Sequence, residues 1–399
     1  MRSVELFSGL GALALSLSRA GFEHALMVEW NQDACETIRE NKRRDIEHVG
    51  HWPIVNGDAR LVDYALLKKS DISLCAGGPP CQPFSIGGKH RGPYDERDMW
   101  PEAIRSVREL RPQAFIFENV RGLLRPAFAD YLKWIRLHLE FPELTKRRGE
   151  DWCSHLERLE RASLKSNHNG LRYCVTVAPV NAADYGAAQI RRRVVIVGFR
   201  SDLGIEWELP APTHSREALL QAKWITGEYW RRHRIPASKR SKPSTKDRAT
   251  VERIKSREIV VDTLPWVTTR DALTGLGEPK VNPNKSNHKF QPGAKAYVGH
   301  SGSDLDEPAK ALKAGDHGVP GGENMMAMGD GSVRYFTVRE AARLQGLPDD
   351  FIFPASVSWS ECMRQLGNAV PVPLGQFVGT SIRGALRTAM TNNRRRRAA

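Results

Sequence analysis

The chain has 399 residues, a formal net charge of +14 and a pI near 9.6. That length suits two domains or one with a large insertion, and the charge favours an anionic partner, nucleic acid first. Six cysteines with no Cys-x-x-Cys pair and no Cys/His cluster argue against structural zinc and a disulfide scaffold and for a reducing cytosol, while no apolar run is long enough to span a bilayer.

Met1-Arg2-Ser3-Val4-Glu5-Leu6-Phe7 enters a strand at once, which leaves no room for a signal peptide. A strand over 3–7, the turn Ser8-Gly9-Leu10-Gly11 and a helix over Ala12–Ala20 follow, with Gly9, Gly11 and Ala14 matching the loose dinucleotide fingerprint. The next strand, His24–Val28, ends in Glu29, about where that fingerprint expects a ribose-binding acid. Trp30 beside it offers an apolar face to a base. A third strand near Trp52–Val55 leads into Gly57-Asp58, an acid suited to an adenine amino group. Each signal alone also fits a plain tight turn or a solvated strand end. Three ligand-type residues at successive strand ends favour an adenosine-containing cofactor.

Asp71–Ala76 reads as a short buried strand running into Gly77-Gly78-Pro79-Pro80-Cys81-Gln82-Pro83-Phe84-Ser85. The glycines allow close approach to a ligand, and the prolines stiffen the turn and exclude helix. One thiol held rigidly at a strand tip is what nucleophilic catalysis needs, although a buried structural cysteine satisfies the same pattern. Phe115-Ile116-Phe117 is a fourth strand, ending in Glu118-Asn119-Val120. A partly desolvated acid there can stay protonated or share a proton; the alternative is an acid at a helix N-terminus. Glu140–Asn169 is a charged insertion, helical over Trp152–Leu164, to which no chemistry is assigned.

After a strand at Tyr173–Val180 come Gln189-Ile190-Arg191-Arg192-Arg193 and a strand at Val194–Phe199. Alternation puts Gln189, Arg191 and Arg193 on one face, suited to a phosphate or a base carbonyl, or else to an ordinary solvated sheet edge. Residues 201–335 carry more Pro, Gly and charge. Between Lys223 and Arg257 stand twelve Lys/Arg against three Asp/Glu, with Trp224, Tyr229 and Trp230 interleaved. That composition suits a grip on phosphates, and over Ser238–Thr250 it equally suits a disordered insertion. Asp306–Met326 is loop-like, and Arg394–Arg397 reads as a basic tail, disordered rather than specific.

In this order the set resembles the cytosine-specific DNA methyltransferases that methylate carbon 5. The resemblance rests on Leu6–Gly11, Glu29, Gly77–Ser85, Glu118-Asn119-Val120 and Gln189–Arg193, and then on Arg339–Pro348 and Gly367-Asn368-Ala369-Val370. It spans roughly residues 1–200 and 330–385. Departures are mild: Glu5 for the usual Asp, Ala12 for a second Gly, Leu347 for Phe and Ala369 for Ser.

What the resemblance implies is an α/β protein with a Rossmann-like S-adenosylmethionine-dependent methyltransferase fold and a smaller, irregular target-recognition domain. The catalytic and cofactor domain would cover 1–200 plus 357–390, made discontinuous by a helix after Val370 returning to the N-terminal part. The recognition domain would cover 201–356, and 391–399 would be a separate basic tail. Cys81 would be the nucleophile, assisted by Glu118, with Arg193 on the base carbonyl and Arg191 holding loop and phosphate. Phe7, Gly9, Gly11, Glu29, Trp30, Asp58, Pro79 and Asn368 would surround the cofactor. Ser85, Gln189, Lys223, Arg231, Arg232, Arg234, Lys239 and Arg240 would meet double-stranded DNA, whose target base must be flipped out. No metal is implied. A cytoplasmic monomer of a bacterium or phage, paired with a restriction endonuclease, completes the expectation. An RNA cytosine methyltransferase of similar core, a binding protein with an inactive core and a nicotinamide oxidoreductase are the alternatives.

Overall fold

The computed structural model describes residues 1–67, 71–80, 98–165, 169–280, 285–297, 301–314 and 324–398, the side chains of 393–398 apart. Two compact units divide them. The larger comprises Met1–Val180, Arg192–Pro210 and Leu347–Ala399, the smaller Asn181–Arg191 and Ala211–Gly346.

The first eight strands in chain order are β1 (Arg2–Leu6), β2 (Glu23–Glu29), β3 (Ile54–Asn56), β4 (Ile72–Gly77), β5 (Ala114–Val120), β6 (Tyr173–Asn181), β7 (Gln189–Ile190) and β8 (Arg192–Arg200). All but β7 join one sheet in the order β3-β2-β1-β4-β5-β8-β6. From β3 to β5 the pairing is parallel, and β8 enters antiparallel to β5. Continuous apolar runs such as Ile72–Gly77, buried at every position, belong to strands covered on both faces.

Helices α1 (Ala12–Arg19), α2 (Gln32–Arg43), α3 (Trp100–Leu110), α4 (Ala129–Glu140) and α5 (Trp152–Ser163) supply that cover. Trp100, Ile104 and Val107 of α3 pack with Phe115 and Phe117 of β5 and with Tyr131, Trp134 and Ile135 of α4. The insertion joins this core, because α5, capped by Asp151, lays Leu156 and Leu159 onto it.

The chain fills one side of β1 with β2 and β3, then crosses back to set β4 on the other. Loops leaving the C-terminal ends of β1 and β4 therefore diverge, and a Rossmann-like sheet binds ligands in the crevice so formed. The C-terminal helix, Val372–Ala398, closes this layer by packing along α1. Gly375 and Gly379 permit the approach: a Cβ on them would stand 2.6 Å from Ser16 Oγ and 2.9 Å from Leu17 Cδ2. The helix runs on through Arg394–Arg397, so the expected disordered tail is helical backbone.

Both boundaries of the smaller unit depart from the expected 201–356. Residues 181–191 belong to it because β7 pairs with Ala309–Lys310. Residues 347–356 belong to the larger unit, where Asn41 bonds both groups of the Ile352 peptide at 2.7 Å. Within the smaller unit, Leu219, Ala222, Tyr229 and Trp230 form one core, and Leu220, Val251 and Ile254 another. Tyr229 and Trp230, interleaved with the basic residues in sequence, are thus buried packing residues. Part of the stretch Ser238–Thr250, whose composition suits a phosphate grip and disorder equally, lies in a helix, Thr245–Lys255, capped by Ser244. Among the described residues no helix is long and apolar enough to cross a membrane.

Candidate active site

The turn after β1 is built from unusual backbone angles. Phe7, Gly9 and Gly11 all have positive φ, at 57°, 54° and 86°. Phenylalanine rarely adopts that conformation, which costs on the order of 1–3 kcal/mol and persists where surrounding structure enforces it. Gly11 has no alternative, since a Cβ there would meet the Trp52 ring at 2.4 Å. Gly9 faces open space, with nothing within 4 Å of where its Cβ would stand.

Glu29 ends β2 beside this turn. Its carboxylate accepts from the Gly9 N–H and the Asn31 N–H, each at 2.8 Å. Burial raises its pKa, while the Asn31 and Gly9 N–H groups and the Arg364 charge oppose that rise. Trp30, by contrast, is 78 % exposed. Asp58, after β3, pairs with Arg60 at 2.6 Å and is held below the ordinary carboxylate range by it. Asn368 is exposed at the end of the helix Trp359–Asn368. No sequence motif marks Arg364 in that helix, and nothing but the fold brings its charge near Glu29.

β4 ends at Gly77, where a Cβ would stand 2.6 Å from the Leu6 carbonyl oxygen. Only glycine lets β1 and β4 leave the sheet this closely. The chain then passes through Gly78, Pro79 and Pro80. Cys81 and Ser85 lie outside the described residues. Asn119 donates from Nδ2 to the Pro79 carbonyl at 3.0 Å and accepts from the Val120 N–H at 2.9 Å. The sequence places Asn119 within a motif but gives no sign of this bond.

Glu118, near the end of β5, forms an ion pair with Arg193 of β8, Oε1 to Nε at 2.7 Å, with side chains 10 % and 12 % exposed. A Cβ on Gly78 would lie 3.6 Å from Glu118 Oε2, so the carboxylate faces the glycine three residues before Cys81. A near-buried acid and guanidinium at the ends of β5 and β8, beside the proline-stiffened turn after β4, can hold a planar polar ring by two of its edges.

The other two members of the arginine block do different work. Gln189 is wholly buried and its Oε1 accepts from the Leu312 N–H, while Arg191 donates to the Leu312 carbonyl, both at 2.9 Å. They staple the Leu312 peptide inside the smaller unit, which corrects the reading of Gln189 as a DNA contact and of all three side chains as converging. Lys223 is corrected likewise. It is 2 % exposed, with Nζ at 2.7 Å from Glu307 and lying over the Trp224 and Tyr229 rings. Arg231, Arg232, Arg234, Lys239 and Arg240 are exposed. Arg232 is partly neutralised by Asp271 at 2.8 Å. Among the described residues no group of three or more His, Cys, Asp or Glu is placed to hold a metal.

Compared with known proteins, the chain matches the model of the C-5 cytosine-specific DNA methylase family over residues 1–141 and 153–384. The chain belongs to that family. This DNA cytosine-5 methyltransferase is 28 % identical over 395 residues to the Type II methyltransferase M.NgoMIV of Neisseria gonorrhoeae, covering 96 % of this chain and 98 % of that protein. It is 29 % identical over 393 residues to the Type II methyltransferase M.FnuDI of Fusobacterium nucleatum, covering 97 % and 95 %. In fold it resembles the S. pombe Dnmt2 methyltransferase, with a TM-score of 0.54 at 16 % identity over 97 % of this chain and 99 % of that one.

Proposed function

We propose that this methyltransferase modifies carbon 5 of cytosine within a specific double-stranded DNA sequence, through a covalent bond from Cys81 to a flipped-out base. The observation that carries the reading is the Glu118–Arg193 pair facing Gly78, on the strand end that leads to Cys81.

Carbon 5 of cytosine is a poor nucleophile. Addition of the Cys81 thiolate to carbon 6 pushes the ring electrons toward carbon 5 and makes it an enamine carbon. Glu118, hydrogen-bonded at ring nitrogen 3 and the exocyclic amine, stabilises the ring as charge builds on it. Arg193 holds the base carbonyl oxygen, and Asn119 fixes the turn that carries the thiol. After carbon 5 is methylated, transfer of its proton to a solvent water restores the double bond and expels the thiolate. A stacked base hides both ring faces, which is why extrusion is required.

The cofactor is S-adenosylmethionine, which supplies an electrophilic methyl group when bound. The residues fit it. The open face of Gly9 and the left-handed Phe7 turn leave room for the methionine end, Glu29 already accepts two N–H donors as it would ribose hydroxyls, and exposed Trp30 can cover adenine. Gly11, Asp58, Pro79 and Asn368 complete the same wall. The larger unit would be the catalytic and cofactor domain and the smaller the target-recognition domain, with Arg231, Arg232, Arg234, Lys239 and Arg240 on phosphates and Ser85 touching the flipped nucleotide. The enzyme would act in the bacterial or phage-infected cytoplasm, as a monomer, and, since its relatives are Type II methyltransferases, beside a cognate endonuclease.

The test is methyl transfer from labelled cofactor to duplex DNA and, in parallel, to transfer RNA, followed by sequencing of methylated bases. A duplex carrying 5-fluorocytosine at the mapped position should then trap a cross-link, located at Cys81 by mass spectrometry. Cys81→Ser should keep DNA and cofactor binding and lose turnover. Transfer to RNA alone, or turnover without Cys81, would overturn the proposal.

A further inference from the structure

One exposed side chain beside the cofactor wall has no place in the reading above. β2 ends at Glu29, and its neighbour β3 runs only from Ile54 to Asn56, pairing Glu29 with Asn56 at the last step. The Gly57 N–H still reaches the Glu29 carbonyl at 2.9 Å. The Trp30 carbonyl therefore lies one residue past the paired strands. Asn56 supplies its donor from a side chain: Nδ2 lies 3.0 Å from the Trp30 carbonyl oxygen and 3.1 Å from that of Glu29.

The peptide joining Trp30 to Asn31 is thereby held at both ends. Its carbonyl accepts from Asn56, and its N–H donates to Glu29 Oε1 at 2.8 Å. Asn31 then caps α2, its Oδ1 accepting from the Ala34 N–H at 2.7 Å. Trp30 sits between these fixed points with its indole largely exposed and, among the described residues, no ring or cation set against it. A tryptophan on mobile backbone gives up conformational freedom when a ligand stacks on it. A peptide plane fixed beforehand has given up that freedom during folding. Ribose hydroxyls arriving at Glu29 would compete with the Asn31 N–H for its oxygens, and the Asn56 bond would be the hold that remains.

We infer that Asn56 is a positioning residue that presets the Trp30 indole as the platform for the adenine ring of S-adenosylmethionine. This rests on the proposed function, which puts ribose at Glu29 and adenine at Trp30. Asn56 acts through two main-chain carbonyls rather than on the cofactor. Because β3 leads on into Asp58, the same amide sets the spacing between the segment that carries Trp30 and the one that carries Asp58.

Asn56→Ala, and Asn56→Asp with the same shape but no donor, should each weaken S-adenosylmethionine binding roughly threefold to tenfold by calorimetry, as expected of one lost hydrogen bond. S-adenosylhomocysteine shares the adenosyl group and should weaken by the same factor. KM for the cofactor should rise while kcat at saturating cofactor holds. Trp30→Ala provides the deciding background: there Asn56→Ala should change affinity less than about twofold, because the platform it sets is gone. Should the alanine variant melt early, the aspartate variant carries the test. Unaltered affinity in both Asn56 variants, or the same loss with and without the indole, would overturn the positioning role and leave the proposed function standing. A wild type that binds no S-adenosylmethionine would overturn that function instead.

Discussion

The side-chain amide of Asn119 holds the carbonyl of Pro79 at 3.0 Å, tying the end of β5 to the turn that delivers Cys81. The bond joins the ends of two neighbouring strands and, on the proposed mechanism, would set the turn preceding Cys81 relative to Glu118. Displacing a nucleophile by an ångström costs on the order of 10²-fold in rate. Asn119→Ala should therefore lower kcat by about that factor with cofactor affinity unchanged. Single-turnover methyl transfer checks it, and a wild-type rate would show that the loop positions itself.

Glu118 and Arg193 should fail in different ways. Glu118→Gln keeps the shape and removes the charge, and should cost about 10²–10⁴-fold in kcat. Arg193→Lys keeps the charge but loses the planar fork, and should raise KM for DNA as well as lowering kcat. If both variants gave the same kinetic pattern, the two residues would not be reading separate edges of the ring.

The glycine turn offers a test of the cofactor wall. Gly11→Ala brings a methyl group against the Trp52 ring and forces an alanine into left-handed backbone. It should destabilise the protein by about 1–3 kcal/mol and weaken cofactor binding together. Glu29→Ala should weaken cofactor binding alone. Calorimetry and thermal melting on the two variants distinguish a structural from a direct contribution.

Stability should fall with acid through buried imidazoles. Burial first, then the His155, Arg108 and Arg158 charges, push His138 down to about 3, and burial pushes His24 down to about 4. Unfolded histidines titrate near 6.5, so below that pH the unfolded chain binds protons the native state refuses. The contribution is whole above pH 6.5 and is lost as pH falls toward these values, by at most about 1.4 kcal/mol per pH unit per group. Tm should drop between pH 7 and pH 5, and His138→Leu should shallow that drop. An identical profile for the variant would place the acid sensitivity elsewhere.

Lys223 and its basic neighbours should separate cleanly. Lys223→Met leaves Glu307 without its partner and should cost roughly 1–3 kcal/mol of stability with no change in the salt dependence of DNA binding. Replacing Arg231, Lys239 and Arg240 by glutamine should flatten that dependence, by up to about 0.9 for each phosphate no longer neutralised. A flattened slope in Lys223→Met would mean that the smaller unit opens on DNA.

The parts of the site that read directly from the chain are those with local backbone demands. Gly9, Gly11, Gly77 and the two prolines are needed where they stand whatever lies beyond them, and they announce the turns after β1 and β4. Partners far along the chain are silent. Alternation shows that Gln189, Arg191 and Arg193 point one way, but not that the chain passes from one unit to the other after Arg191, leaving two of them on Leu312. Composition likewise marks Lys223, Tyr229 and Trp230 as nucleic-acid-like, since the same residue types also build a small core when Glu307 and Leu219 come to meet them. The charged insertion hides its packing because its anchors, Phe141, Leu156 and Leu159 with Leu144 and Trp152 packed against them, are scattered among charged residues.

Val372–Ala398 seals α1 with residues made more than three hundred positions later. A growing polypeptide must carry its N-terminal layer half-covered, with Leu17 and Ser16 bare, until that segment leaves the ribosome. A stop codon anywhere upstream of Val372 should therefore yield aggregates rather than a dead but soluble product, and a separately expressed C-terminal peptide should rescue it in trans.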